Sequence, residues 1–84
     1  MAFDPAMPAD VEVDARGLRC PRPVIDVANA CADSPPGTIV RLLADDPTAE
    51  VDVPVWARMR RQRLLGRGPW AGDGGGTAYL VEVV

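Results

Sequence analysis

Val11 and Val13 alternate with Glu12 and Asp14, a period of two that predicts a short half-buried strand, and Gly17 then breaks it. From Val24 to Asp33 the apolar residues Val24, Val27, Ala28 and Cys31 recur at helical spacing. Asp26, Asn29 and Asp33 fall largely on another arc, so this is an amphipathic helix, closed by Ser34-Pro35-Pro36-Gly37. Thr38 to Ala44 is β-branched and leucine-rich, interrupted only by Arg41, and predicts a second strand. Asp45-Asp46-Pro47 then signals a helix start, with an aspartate capping exposed amides and the proline in the first turn.

The second helix is predicted from about Thr48 to Arg61. Pro54 falls inside it, and an interior proline costs about 3 kcal/mol or more, which predicts a late start or a bend. On a helical wheel Ala49, Val55, Trp56 and Met59 share a broad arc with Val51 and Val53 at its edges. That arc is the expected buried face. Asp52 falls within it, and the favoured reading is a cap on amides beside Pro54; the alternative is a carboxylate serving a site. Gln62 to Arg67, around Leu64 and Leu65, predicts a third strand. Gly68 to Gly76 is a connector, and Thr77 to Val84 a fourth strand with Tyr79, Val81 and Val83 on one face.

The order strand, helix, strand, helix, strand, strand makes a two-layer α/β sandwich, βαβαββ, if right-handed crossovers put both helices on one face of the sheet. The domain is expected over residues 10–84. Residues 1–9, with Pro5 and Pro8 among small residues, read as a flexible tail. A chain of 84 residues has room for one thin core. Met1 to Asp10 carries Asp4 and Asp10 but no basic residue and no continuous apolar run, so no secretory signal is expected, and the expected compartment is the cytoplasm. No stretch approaches the ~18 apolar residues of a membrane span, so no direct membrane partner is expected. A net charge of -3 disfavours nucleic acid as a partner.

The chain has two cysteines, Cys20 and Cys31, and no histidine. A structural zinc site wants about four Cys or His ligands, so no metal is expected. Histidine-based acid-base chemistry is excluded, which leaves thiol chemistry. Cys20 stands in Arg19-Cys20-Pro21-Arg22-Pro23 at a loop-helix junction, where the two prolines restrict the backbone and aim the thiol outward. Helix-entrance amides and the charges of Arg19 and Arg22 predict a thiol pKa lowered from about 8.5 into the range of roughly 3.5 to 7.5. Cys31 lies on the apolar stripe of the first helix and reads as a core residue.

The run Val13-Asp14-Ala15-Arg16-Gly17-Leu18-Arg19-Cys20-Pro21-Arg22-Pro23 resembles the signature of the TusA/SirA-like sulfur-carrier family, a leucine followed by Cys-Pro-x-Pro. A second block, Ala44-Asp45-Asp46-Pro47 with Asp52-Val53-Pro54 and Trp56, matches in register. The resemblance implies a four-stranded mixed sheet whose last strand runs antiparallel to the others. It also implies a transient persulfide on Cys20, with no other cofactor, taken from a cysteine desulfurase or rhodanese-like donor. A downstream relay protein would receive it, for tRNA thiolation, molybdenum cofactor synthesis or sulfur oxidation. The expected molecule is a monomeric carrier rather than a turnover enzyme acting on a small molecule. Arg19, Pro21, Arg22 and Pro23 are expected to shape the site, Asp45, Asp46 and Asp52 to support it, and Arg58 and Arg61, at i, i+3 spacing, to dock partners.

Two rival readings differ in their chemistry. A thiol redox regulator would need a second thiol near Cys20, but Pro23 fills the usual Cys-x-x-Cys slot. The helix would hold Cys31 roughly 12 to 17 Å away, beyond the ~7 Å a disulfide allows. Ala57 also stands where some members of the family have a second cysteine. A non-enzymatic regulatory or RNA-binding module would use Arg58, Arg60, Arg61, Arg63 and Arg67, but no aromatic ladder interleaves them.

Overall fold

Period-two alternation becomes a sheet with one face turned to both helices. The computed structural model describes residues 3–84 and contains β1 (Val11–Asp14), α1 (Arg22–Ala32), β2 (Ile39–Ala44), α2 (Ala49–Met59), β3 (Arg63–Pro69) and β4 (Thr77–Glu82). The strands lie in the order β1-β2-β4-β3. β1 is parallel to β2, and β4 is antiparallel to both β2 and β3, so the last strand alone runs against the others. This is the mixed-sheet sandwich the sequence predicts. The register between β3 and β4 shifts at Leu64/Gly66, so the paired stretch of β3 is irregular around Leu65.

The inner face of the sheet carries Val40, Leu42 and Ala44 from β2 and Tyr79 and Val81 from β4. Val27 and Cys31 of α1 and Ala49 and Val53 of α2 close over them. Cys31 is buried, as its place on the stripe predicts.

α2 turns a different face inward from the one read off the wheel. Ala49, Val53 and Ala57 are buried, whereas Val51, Val55 and Met59 are 66%, 46% and 76% exposed. The helix carries two apolar stripes at i, i+4 spacing. The stripe of small residues wins because alanines let the helix backbone approach the sheet closely. Trp56 packs at the edge of the core. Pro54 sits inside the helix. Its missing N–H leaves the Glu50 carbonyl without a helical donor, and Arg67 Nη1 supplies one at 2.8 Å. Beyond Met59 the chain closes with Gln62 N–H on Ala57 O at 2.9 Å and Arg61 N–H on Arg58 O at 3.3 Å, with Arg61 left-handed at φ 58°. This is a Schellman stop, usually built with glycine.

The outer face is also partly apolar, with Leu43, Ala78 and Leu80 buried. Residues 3–9, read from sequence as a tail, cross this face; Met1 and Ala2 lie outside the described residues. Gly66 pairs with Leu80 and Gly68 with Ala78. Phe3 and Pro5 pack against these two glycines so closely that an added Cβ would meet each of them at 2.6 Å. The Arg41 guanidinium donates to the carbonyls of Pro5 and Met7, stacks 5.1 Å from the Trp70 ring centroid and pairs with Glu12 at 3.2 Å.

Candidate functional site

The reactive loop between β1 and α1 is held by acceptors from a distant turn. Gly17 takes φ 81°, a left-handed conformation that favours glycine, and turns the chain away from β1. Its amide donates to Asp45 Oδ1 at 2.9 Å. Three residues later the Cys20 amide donates to Asp46 Oδ2 at 2.6 Å, while Asp46 Oδ1 accepts from the Thr48 amide at 3.0 Å. One carboxylate thus ties the loop to the first residues before α2. These bonds hold the Asp46 carboxyl below the usual carboxylate range, the Cys20 amide contributing most. Asp45 and Asp46 thus both accept amide hydrogen bonds from the loop, and Asp46 also accepts from the Thr48 amide ahead of α2.

α1 begins at Arg22, with Pro23 buried beneath it and Pro21 exposed. Cys20 is exposed at this junction. Its sulfur points toward α2, where Sγ donates to Asp52 Oδ2 at 2.8 Å. Asp52 is therefore directed at the thiol and not at a helix amide, the reverse of the reading favoured from sequence. The carboxylate and the sulfur lie 32 residues apart in the chain, so no local pattern announces their contact.

The electrostatics correct a second expectation. Cys20 is pushed above the ordinary cysteine value, first by its hydrogen bond to Asp52, then by desolvation, with a Thr48 hydrogen bond opposing and the charges of Asp52 and Asp46 adding to the rise. The expected thiolate gives way to a thiol because the Asp52 carboxylate accepts its S–H, and neither flanking arginine offsets this. Arg22 Nε lies 3.8 Å from Asp26, one turn along α1, and the charge of Arg19 acts on Asp46. The helix entrance is also less open than expected, since the Ile25 amide already donates to the Pro21 carbonyl at 3.0 Å.

Of the two docking arginines, Arg58 lies in the last turn of α2 and Arg61 lies past its end, so they do not share a helix face. Both are exposed. Arg60 is the one that borders the shallow groove between the helices, which Pro21, Val24, Asp52, Val55, Trp56 and Met59 line. Sequence reasoning gave Arg60 a place only in the rival RNA-binding reading, and read Thr48 only as the start of the second helix. The position of Thr48 directly after Asp46-Pro47 was the available signal, because the residue after such a cap stands at the mouth of the helix.

Comparison with known proteins bears on the family and the fold. The family model described as "Sulfurtransferase TusA" matches residues 11–82. A relative from Pseudomonas fluorescens, "Sulfur carrier protein TusA", is 33% identical over 72 residues, covering 86% of this chain and 87% of its own. Another of the same name, from Pseudomonas paraeruginosa, is 40% identical over 47 residues, covering 56% of this chain and 60% of its own. The crystal structure of a SirA-like protein from Desulfitobacterium hafniense superposes with a TM-score of 0.65 at 24% identity, covering 88% of this chain and 96% of that one, and so shares its fold.

Proposed function

Because this chain belongs to the TusA sulfurtransferase family, we propose that it is a sulfur carrier whose Cys20 accepts a persulfide sulfur from a cysteine desulfurase or rhodanese-like donor and hands it to a downstream acceptor protein. The observation that carries this reading is the exposed Cys20 thiol, fixed by its own amide to Asp46 and bordered by an open groove between two helices. A shallow surface of this kind suits sulfur delivered on another protein's side chain better than a small substrate, which is held in a concave pocket.

The exchange needs no electron source. The Cys20 sulfur forms a bond to the outer sulfur of the donor persulfide, the donor S–S bond breaks, and the donor leaves as a thiol once the Cys20 proton is passed on. The cargo is the persulfide itself, with no resident cofactor. Thiols stay reduced in the cytoplasm, where this reading places the reaction. Thiolation of tRNA, molybdenum cofactor synthesis and sulfur oxidation are the destinations it proposes. No helix among the described residues is long and apolar enough to cross a membrane.

Incubation with a cysteine desulfurase and cysteine, followed by intact mass, tests the assignment. Wild type and Cys31→Ala gain one reducible sulfur; Cys20→Ser gains none. Loading that survives Cys20→Ser overturns the reading.

A further inference from the structure

A thiol that attacks a persulfide must lose its proton, and this chain has no histidine to take it. The groups facing the Cys20 sulfur come from three places. From α2, Asp52 accepts the S–H at 2.8 Å. From the turn before α2, Thr48 acts on the sulfur to oppose the rise in its pKa, and Asp46 has given its two oxygens to the amides of Cys20 and Thr48. From the reactive loop and α1, Arg19 acts on Asp46 and Arg22 on Asp26. Among the described residues Asp52 is thus the base in contact with the proton.

We infer that Asp52 is the proton acceptor for sulfur exchange at Cys20, taking the S–H proton when a donor persulfide is docked over the site. The inference rests on the carrier reading above. In open solvent, hydroxide and buffer deprotonate a thiol without help. Once a partner protein covers Cys20 they are excluded, and the proton must pass to a group inside the interface. A base must be within hydrogen-bond reach of the proton it abstracts, and Asp52 already is.

The step balances. The Sγ–H bond breaks and its proton goes to Asp52 Oδ2, while the sulfur electron pair forms a bond to the outer sulfur of the donor persulfide. The donor S–S bond breaks, its electron pair leaves on the inner sulfur, and Asp52 returns the proton to that thiolate. A Cys20 thiol and a donor persulfide become a Cys20 persulfide and a donor thiol.

Before docking, the same carboxylate has the opposite effect. Its charge and hydrogen bond keep the proton on sulfur, so the unloaded carrier reacts slowly with stray electrophiles. Loss of Asp52 therefore moves two rates in opposite directions, which loss of local structure does not do.

The test compares wild type, Asp52→Asn and Asp52→Glu in two assays, alkylation by iodoacetamide across a pH series and single-turnover loading from a persulfidated cysteine desulfurase. Asp52→Asn is expected to alkylate faster than wild type near neutral pH, with its pH midpoint moved down, yet to load about 100-fold more slowly, the lower end of general-base effects. Asp52→Glu restores most of the loading rate. Loading of Asp52→Asn at the wild-type rate or faster overturns the inference and leaves the carrier reading standing. A fall in both rates together overturns it as well, since that marks a structural role. Failure of the wild type to load overturns the carrier reading and this inference with it.

Discussion

The Cys20 amide and the Asp46 carboxylate meet at 2.6 Å across 26 residues of chain, and the other oxygen of that carboxylate holds the Thr48 amide. The thiol is therefore placed by a backbone bond and not by a side-chain pocket. Removal of the acceptor frees the loop and takes away one of the smaller charges that raise the Cys20 thiol, while its main cause, Asp52, stays in place. Asp46→Ala is expected to lower the melting temperature, speed hydrogen exchange at the Cys20 amide and slow sulfur loading. Unchanged exchange at that amide in Asp46→Ala would show that the loop is held by other contacts.

Acid should weaken the fold through the same class of contact. Asp14 is lowered to about 2, first by its hydrogen bond to the Arg16 side chain, and Asp46 is lowered by the Cys20 and Thr48 amides. A carboxyl whose folded pKa is depressed contributes stability above its unfolded pKa, and that contribution is lost as pH falls through the folded value. For Asp14 the window runs from the ordinary 3.8 down to about 2. Urea midpoints measured across that range should fall more steeply in wild type than in Asp14→Asn. Asp14 is exposed and Asp46 half-buried, so the effect is modest and fades with added salt.

The inward face of α2 gives a direct stability test. Ala57 is 2% exposed against the sheet, whereas Met59 is 76% exposed. Ala57→Leu forces extra methylenes into a filled space and is expected to cost about 1 to 3 kcal/mol. Met59→Ala is expected to stay within about 0.5 kcal/mol of wild type, as surface changes usually do. Chemical denaturation of the two variants separates these outcomes; the opposite ranking would restore the wheel read from sequence.

Element order and the position of Cys20 were legible because each rests on a local pattern. Alternation in Val11–Asp14 and the prolines at positions 21 and 23 act within a few residues. The bond from the Thr48 amide to Asp46 is local in the same way, two residues along the chain. The direction of Asp52 was not, because its partner arrives from another element. The sign of the Cys20 shift failed with it: the sequence shows two neighbouring arginines, while the approach of Asp52 to the sulfur and of Arg22 to Asp26 belong to the folded chain. On α2, two apolar stripes competed, and hydrophobicity alone ranks Met59 above Ala57 although packing against a sheet ranks them the other way.

Arg41 joins the segment across the outer face to the sheet, through the Pro5 and Met7 carbonyls and the Trp70 ring. Its side chain is 11% exposed. Hydrogen bonds from a charged group contribute about 1.5 to 3 kcal/mol, so Arg41→Ala is expected to destabilise the protein by an amount in that range. Trp70 fluorescence should change in the folded state as the cation leaves its ring. Gly66→Ala is expected to displace Phe3, whose ring occupies the space an added methyl needs. A Trp70 spectrum that does not respond to Arg41→Ala would mean that the stacking is absent in solution.

The arginines at the end of α2 bear on how a partner finds the sulfur. Arg58 lies in the last turn of the helix, Arg60 borders the groove that reaches Pro21 and Asp52, and Arg61 holds the left-handed position of the stop. A positive cluster beside an exposed thiol steers an acidic partner, and steering shows in association rate and in salt dependence. Arg58→Glu with Arg61→Glu is therefore expected to slow sulfur transfer strongly at low salt, keep the fold, and flatten the salt dependence. Arg61 also permits a control in which charge and stability part company. Glycine takes a left-handed backbone without steric cost, so Arg61→Gly is expected to stabilise the fold by about 0.5 to 1 kcal/mol while removing one docking charge. If the cluster docks partners, Arg61→Gly melts higher than wild type and still transfers more slowly at low salt. Transfer at the wild-type rate across the salt series, in both this variant and the double glutamate, would remove these arginines from recognition and leave it to the loop around Cys20.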